Sequence, residues 1–197
     1  MTTSTLTRQV VTVKAGTLYD LITGAAIAAD SSRDAIARLA AVYLTAECGK
    51  LTAVATDRYR LIAGTIELEG GELSHSAITL PDIKRLISLL KPYAKGSHTV
   101  TISEEGYTLT ITLDGNSLTV QSPDYQFPPY SHLVSDDYSP VPSVALNLSL
   151  LATFAKVPHD IKQPTVLGFT GENKPVQIKL AHELIKWDAL LMPMRRK

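Results

Sequence analysis

A single cysteine, Cys48, in 197 residues excludes an internal disulfide and a cysteine-rich zinc site. Nor is there an excess of charge of either sign. Lys plus Arg and Asp plus Glu each number 19, so the formal net charge is zero and any grip on nucleic acid has to come from a local patch. No apolar run approaches membrane-spanning length, and the opening "MTTSTLTRQVV" lacks the apolar core of a secretory signal, so a soluble, cytoplasmic protein is expected. The five histidines, His75, His98, His132, His159 and His182, are scattered without metal-ligand spacing. "GKLT" at Gly49 has Leu44 where a phosphate loop needs its first glycine, and reads as a hairpin turn. "PHD" (158–160) reads as a helix-end turn, and the adjacent Asp136 and Asp137 as a solvated pair rather than an acid–base couple. With no catalytic cluster, the expectation is a protein that is not an enzyme and needs neither cofactor nor metal.

What the chain does have is a repeat. Three times a short strand-like run leads into an apolar-periodic helix and then into further strands, opening with "VVTVKAGTLYDLI", "AITLPDIKRLISLL" and "SVALNLSLLATFA". Pro81 suits a first helical turn and Asn147 an N-cap. In the second helix Ile83, Leu86, Ile87 and Leu90 form one apolar stripe, while Lys84, Ser88, Lys91 and Lys95 share another face, with Pro92 ending or kinking the helix. "YTLTITLDGNSLTV" alternates at period two around Asp114-Gly115-Asn116, a hairpin signal. The unit is β-α-β-β-β, in three copies of roughly 65 residues. Such units stack strands on one side and helices on the other, which gives an α+β fold with helices on one face of antiparallel sheets. The proline-rich stretch 122–143 reads as a semi-rigid linker. It separates a two-unit domain, 1–135, from a one-unit half domain, 136–197.

Two stretches ask for an explanation. "LTAVATDRYRLIAGTIEL" (51–68) interrupts two good strands with Asp57, Arg58, Tyr59 and Arg60. A tight turn favours small residues tolerant of positive φ, so this is either a longer loop of solvated charges or a surface built to bind. "ALLMPMRRK" places Met192 and Met194 around Pro193 at the end of the sequence. They belong either to a final core strand with Pro193 at an edge or to an adaptable apolar contact surface.

Together these pieces resemble the bacterial-type DNA polymerase sliding clamp, the β clamp, particularly its actinobacterial form. "ATDRYRL" at Ala55 resembles the clamp's middle-domain motif and "FPPY" at Phe127 its interdomain connector. "LNLSLL" at Leu146 resembles the last helix of the third domain, and "PVQIKL" with "LLMPMR" the final strands and terminus. Order and spacing agree over nearly the whole chain, which corresponds to the family's middle domain plus the second half of its third. The resemblance implies the β-clamp (DNA clamp) fold and a pocket for short linear motifs of polymerases and other replication proteins. Carried over residue by residue, that pocket comprises Leu39, Thr56, Arg58, Tyr59, Arg60 and Leu61. The connector adds Pro128, His132 and Leu133, and the last unit adds Asn147, Leu150, Asn173, Pro175, Met192, Pro193, Met194 and Arg195. Two positions depart from the family: Pro129 stands where "FPDY" has an acid, and Arg196 where a leucine is common.

The family encircles duplex DNA with a ring of six similar domains, so one and a half domains per chain imply a homo-oligomer, with a tetrameric ring favoured. Sequence-independent DNA contacts are then expected from Lys and Arg to phosphate. The candidates are Lys84, Arg85, Lys91 and Lys95, extended by Lys156 and Lys162. The first helix offers little, because Asp20, Asp30 and Asp34 offset Arg33 and Arg38. Two alternatives stay open: a solvated helix face in place of a DNA surface, and a non-ring adaptor or decoy in place of a ring.

Overall fold

The computed structural model describes residues 9–135, 138–141 and 143–194, with His75 by its backbone alone. Asp136, Asp137, Arg195 and Arg196 therefore lie outside the described residues. The helices pack against two antiparallel sheets. The first unit runs β1 (Gln9–Lys14), α1 (Ala15–Ala26), β2 (Ala41–Glu47), β3 (Lys50–Thr56) and β4 (Arg60–Glu67). The second runs β5 (Leu73–Thr79), α2 (Leu80–Leu90), β6 (Thr99–Glu105), β7 (Thr108–Leu113) and β8 (Asn116–Gln121). The third has α3 (Leu148–Thr153), β9 (Val166–Gly168), β10 (Val176–Lys179) and β11 (Lys186–Leu191). The expected opening strand of the third unit is not regular: 143–147 is extended chain held at Ala145, whose carbonyl accepts from the Met194 N–H at 2.8 Å.

Local chemistry explains the elements. Pro81 sits in the first turn of α2, where no N–H is needed, and α2 gives way to a 3-10 turn at Lys91–Tyr93, around Pro92. Ile83, Leu86 and Leu90 are buried while Lys84, Ser88 and Lys91 are exposed. The Asn147 side chain caps α3, accepting from Ser149 N at 3.0 Å and Leu150 N at 3.3 Å. Two hairpins turn on pairs with positive φ at both centres, Cys48-Gly49 and Asp114-Gly115. α1 ends at Ala26, so Asp30, Arg33, Asp34 and Arg38 lie beyond it and only Asp20 is on the helix. This corrects the expected charge balance of that helix.

One sheet has order β1-β6-β7-β8; the other has order β5-β2-β3-β4-β11-β10-β9. The third unit is thus joined to the first by antiparallel pairing of β4 with β11, from Arg60↔Leu191 to Thr65↔Lys186. Side chains alternate across this sheet. Ile62, Ala189, Leu191 and Ile178 face the helices in the main core, while Leu61, Ala63, Leu190, Tyr43 and Val54 form a second cluster on the outer face. Trp187 reinforces the joint from the helix side. Its buried ring packs where a Cβ on either Gly24 of α1 or Gly64 of β4 would stand.

The proline-rich connector packs more closely than a linker requires. Tyr125, Phe127, Tyr130 and Val134 lie on the outer cluster, and the Phe127 ring meets Tyr43 edge-on with centroids 4.9 Å apart. The edge strand β5 is tied to the other sheet by Glu104, a buried carboxylate of β6. It accepts from Ser74 N at 2.6 Å, from Ser74 Oγ at 2.7 Å and from Ser76 Oγ. Ser122 Oγ takes the Ala77 N–H at 2.8 Å, so side chains occupy edge donors that could otherwise recruit another strand.

Candidate peptide and nucleic-acid surfaces

The "TDRYR" loop closes the β3–β4 hairpin through Asp57. Asp57 Oδ1 accepts from Tyr59 N at 3.0 Å and Arg60 N at 2.9 Å, and Oδ2 pairs with Arg60 Nε at 3.0 Å. Thr56 Oγ1 donates to Arg60 O at 2.8 Å and accepts from Arg58 N at 3.1 Å. This is an Asx-type turn, in which a short polar side chain does the work of backbone pairing. It leaves Arg58 at φ 79 and Tyr59 58% exposed, with the Arg58 guanidinium 5.9 Å from the Tyr59 ring centre. Arg60 goes the other way. Its side chain is 12% exposed and its Nη1 donates to Thr153 Oγ1 on α3.

Around this loop the sheet gathers most of the expected site. Met192 N donates to Tyr59 O at 2.8 Å, extending the β4–β11 register by one residue. Val176 pairs with Leu191, so the buried Pro175 comes next to the strand end on the other side, with the exposed Asn173 in the turn before it. Asn147 and Leu150 arrive with α3, held by the Arg60–Thr153 bond and by the Met194–Ala145 bond. Met192 and Met194 are 40% and 55% exposed. β11 is thus an interior strand that ends at Leu191, and the two methionines lie just past it in the open. Leu39 and Leu61 are buried beneath the surface. Leu39 O accepts from Asp30 N at 2.9 Å, and hydrogen bonds from Ser32, then the charge of Arg58, hold the Asp30 carboxyl below its ordinary value.

The connector residues lie along the outer face, where their neighbours Tyr130 and Val134 pack on the cluster that holds Leu61 and Leu190. Pro128 lines a cleft on the outer face with Tyr43, Thr45, Glu47 and Thr52, towards the β2–β3 turn, and His132 and Leu133 are exposed in a 3-10 turn. Two residues that sequence reasoning left out of the candidate set hold the cluster around the "TDRYR" loop together. Asp57 had a signal, an Asp whose carboxylate reaches the N–H groups two and three residues on. Thr153 had none, since its partner is 93 residues away.

The basic candidates occupy the helical side. Lys84, Lys91, Lys95, Lys156 and Lys162 are exposed, whereas Arg85 is ion-paired to Asp82 at 2.9 Å. Segments flanking Lys95 (Ala94, Gly96) and Lys162 (Asp160, Gln163) line one cleft of about 890 Å³, which also takes in Lys14, Asp20, His159 and His182. The lysine in the wall of this cleft is Lys14, and the candidate lysines lie outside its lining, with Lys84 and Arg85 at a separate cleft beside Ser117 and Leu118. The acids of the larger cleft, Asp20, Asp160 and Glu183, temper its potential. Burial raises the Asp20 carboxyl above its ordinary value, opposed by His182, whose Nε2 lies 3.7 Å away. Among the described residues no group of three or more His, Cys, Asp or Glu could hold a metal ion, and no helix is long and apolar enough to cross a membrane.

No protein-family model matches the sequence, and no curated protein is similar to it. Solved structures are similar in fold. The DNA polymerase III beta subunit from Thermotoga maritima superposes with a TM-score of 0.81 at 14% identity, over 96% of this chain and 66% of that one. The DNA polymerase sliding clamp from Pseudomonas aeruginosa gives 0.78 at 15% identity, over 95% and 67%. A second structure of that clamp, with ligand, gives 0.77 at 15% identity, over 95% and 66%. The chain thus has the β-clamp fold and spans about two thirds of the length of these clamps.

Proposed function

We propose that this chain is a sliding-clamp-like processivity factor for DNA replication, not an enzyme. It binds short linear motifs of a DNA polymerase or other replication proteins, and encircles duplex DNA as a closed ring of its own copies, a tetramer being favoured. One observation carries the reading: in a chain of clamp fold, the "TDRYR" loop, α3 and the Met192–Met194 tail meet at the strand ends in the middle of the long sheet, tied by a hydrogen bond from Met192 N to Tyr59 O and one from Arg60 to Thr153. Exposed methionines supply adaptable apolar surface, while Arg58 and Tyr59 supply a cationic and an aromatic edge. A Gln–Leu–aromatic peptide should bind the full chain and not a variant lacking 192–197, whose first domain stays folded. Unchanged affinity in the truncation would remove the site from this surface.

A second reading is a non-ring adaptor or decoy that keeps the peptide site and modulates a host's replication by binding clamp-binding motifs or the host clamp. The zero net charge and the neutralised Arg85 favour it. Light scattering separates the two, because a ring demands a closed oligomer and a monodisperse monomer at high micromolar concentration leaves only the decoy.

A further inference from the structure

We infer that Arg60 and Thr153 form a splint across the junction of the first and third units, which positions α3 as a wall of the peptide site, and that Arg60 itself touches no ligand. The inference rests on the peptide-site reading above. Alternation along β4 puts Arg60 on the helix side with Ile62, two residues on, and cross-strand from the buried Leu191. Two of its five N–H donors are engaged inside the protein and the side chain is largely shielded. Nε is fixed by Asp57 Oδ2 at 3.0 Å and Nη1 donates to Thr153 Oγ1. The donor count is consistent: the single Thr153 hydroxyl proton goes to Leu150 O at 2.6 Å, so towards Arg60 that oxygen can only accept. α3 needs such a support. It has six residues, none of them fully buried; Leu150 and Leu151 rest partly on the core and Phe154 anchors its end, but its own propensity cannot hold so short a helix and the Arg60 bond fixes the side that faces the loop. Leu150, whose carbonyl anchors Thr153, is the residue that α3 brings to the site. The neighbouring Arg58 and Tyr59, turned outwards, are left as the loop's ligand contacts.

Thr153→Val deletes the acceptor with little change of shape, and Thr153→Ser keeps it. Amide hydrogen exchange on the full chain reads α3 directly, at Leu151, bonded to Asn147 O at 3.0 Å, and at Phe154, bonded to Leu151 O. Thr153→Val should speed exchange at both about tenfold and weaken a synthetic Gln–Leu–aromatic peptide about tenfold, the scale of one hydrogen bond to a charged group. Thr153→Ser should restore both. Arg60→Lys, whose single ammonium lacks the fork that holds both partners, should weaken the peptide in the otherwise unaltered chain but add little in the Thr153→Val background. It gives the same exchange readout should Thr153→Val not fold. Unchanged exchange in the folded variant overturns the splint. So does an Arg60→Lys penalty as large in the Thr153→Val background as without it, which would put Arg60 on the ligand. If the unaltered chain binds no such peptide, the peptide-site reading fails, and exchange at Leu151 and Phe154 still decides whether the splint holds α3.

Discussion

Adjacent residues in the "TDRYR" loop do opposite jobs, and the Asp57 turn is what separates them. By holding the N–H groups of Tyr59 and Arg60, it lets Arg58 take a positive φ and Tyr59 face solvent while Arg60 turns under the sheet. Beside them, Met194 has its N–H fixed by Ala145 and its side chain half exposed, so its apolar surface is free for a ligand. Met194→Ala should cost peptide binding about 1–3 kcal/mol if it is a central anchor, measured by titration calorimetry, and a loss under a few tenths would move the anchor elsewhere. On the helical side the sharpest test at this scale is Asp20. Burial raises its folded pKa above the ordinary value of about 3.9. Its contribution to stability is therefore complete below about pH 3.9 and is lost as pH rises through the folded value, above which an ionised carboxylate stays partly desolvated. Asp20→Asn should raise the melting temperature at pH 7, and the gain should shrink towards pH 3, where the native carboxyl is protonated. A gain equal at both pH values would point to a cause other than the ionisation of Asp20.

Elements governed by local rules were readable in advance. The Asp114-Gly115 hairpin, the Pro81 start and apolar stripe of α2, and the Asn147 cap each depend on residues a few positions apart. The joint between units depends on residues more than a hundred positions apart, and it is where reading stopped. Nothing in "RLIAGTIEL" announces that β4 pairs with β11, because both strands carry apolar residues on both faces and such a run fits any interior position. The connector misled for a related reason. Its prolines marked a spacer, but Phe127 and Tyr130 needed the Tyr43 face, which exists only once the sheet has formed. Gly24 and Gly64 were silent too, since their use is the room they leave for Trp187. The helix interior makes Gly24 a decisive test. An open site would gain about 0.8–1 kcal/mol from Gly24→Ala through propensity alone. Here the new methyl meets a rigid, buried ring, and overpacking of that kind costs about 1–3 kcal/mol. A lower midpoint in urea unfolding is expected, and a higher one would mean that Trp187 does not fill this notch.

Assembly is a property of the whole molecule, and the surfaces left open set its terms. The long sheet ends at β9, a three-residue edge where Val166 and Leu167 are 50% and 38% exposed, and the other sheet ends at β8. Edges and apolar residues of this kind are usually covered, and repeated head-to-tail covering by identical chains closes a ring when the rotation permits. A ring built this way would hold DNA by phosphate contacts alone. The lysines available for that are few, and the cleft between the segments that carry Lys95 and Lys162 is lined by acids, so affinity should be weak, independent of base sequence and steeply lowered by salt. Retention on circular DNA separates encirclement from simple adhesion, since a closed ring cannot slide off a substrate without ends. Lys84 and Lys91 are solvent-exposed on the helical side, away from the "TDRYR" loop, so reversing both charges should leave peptide affinity intact. It should also shorten retention on circular DNA. Linear and circular DNA should differ for the unaltered chain at moderate salt, and that difference should narrow in the double reversal. Retention that survives the reversal unchanged would mean that α2 does not face the duplex. The zero net charge would then be the better guide, to a chain that binds clamp partners without enclosing DNA.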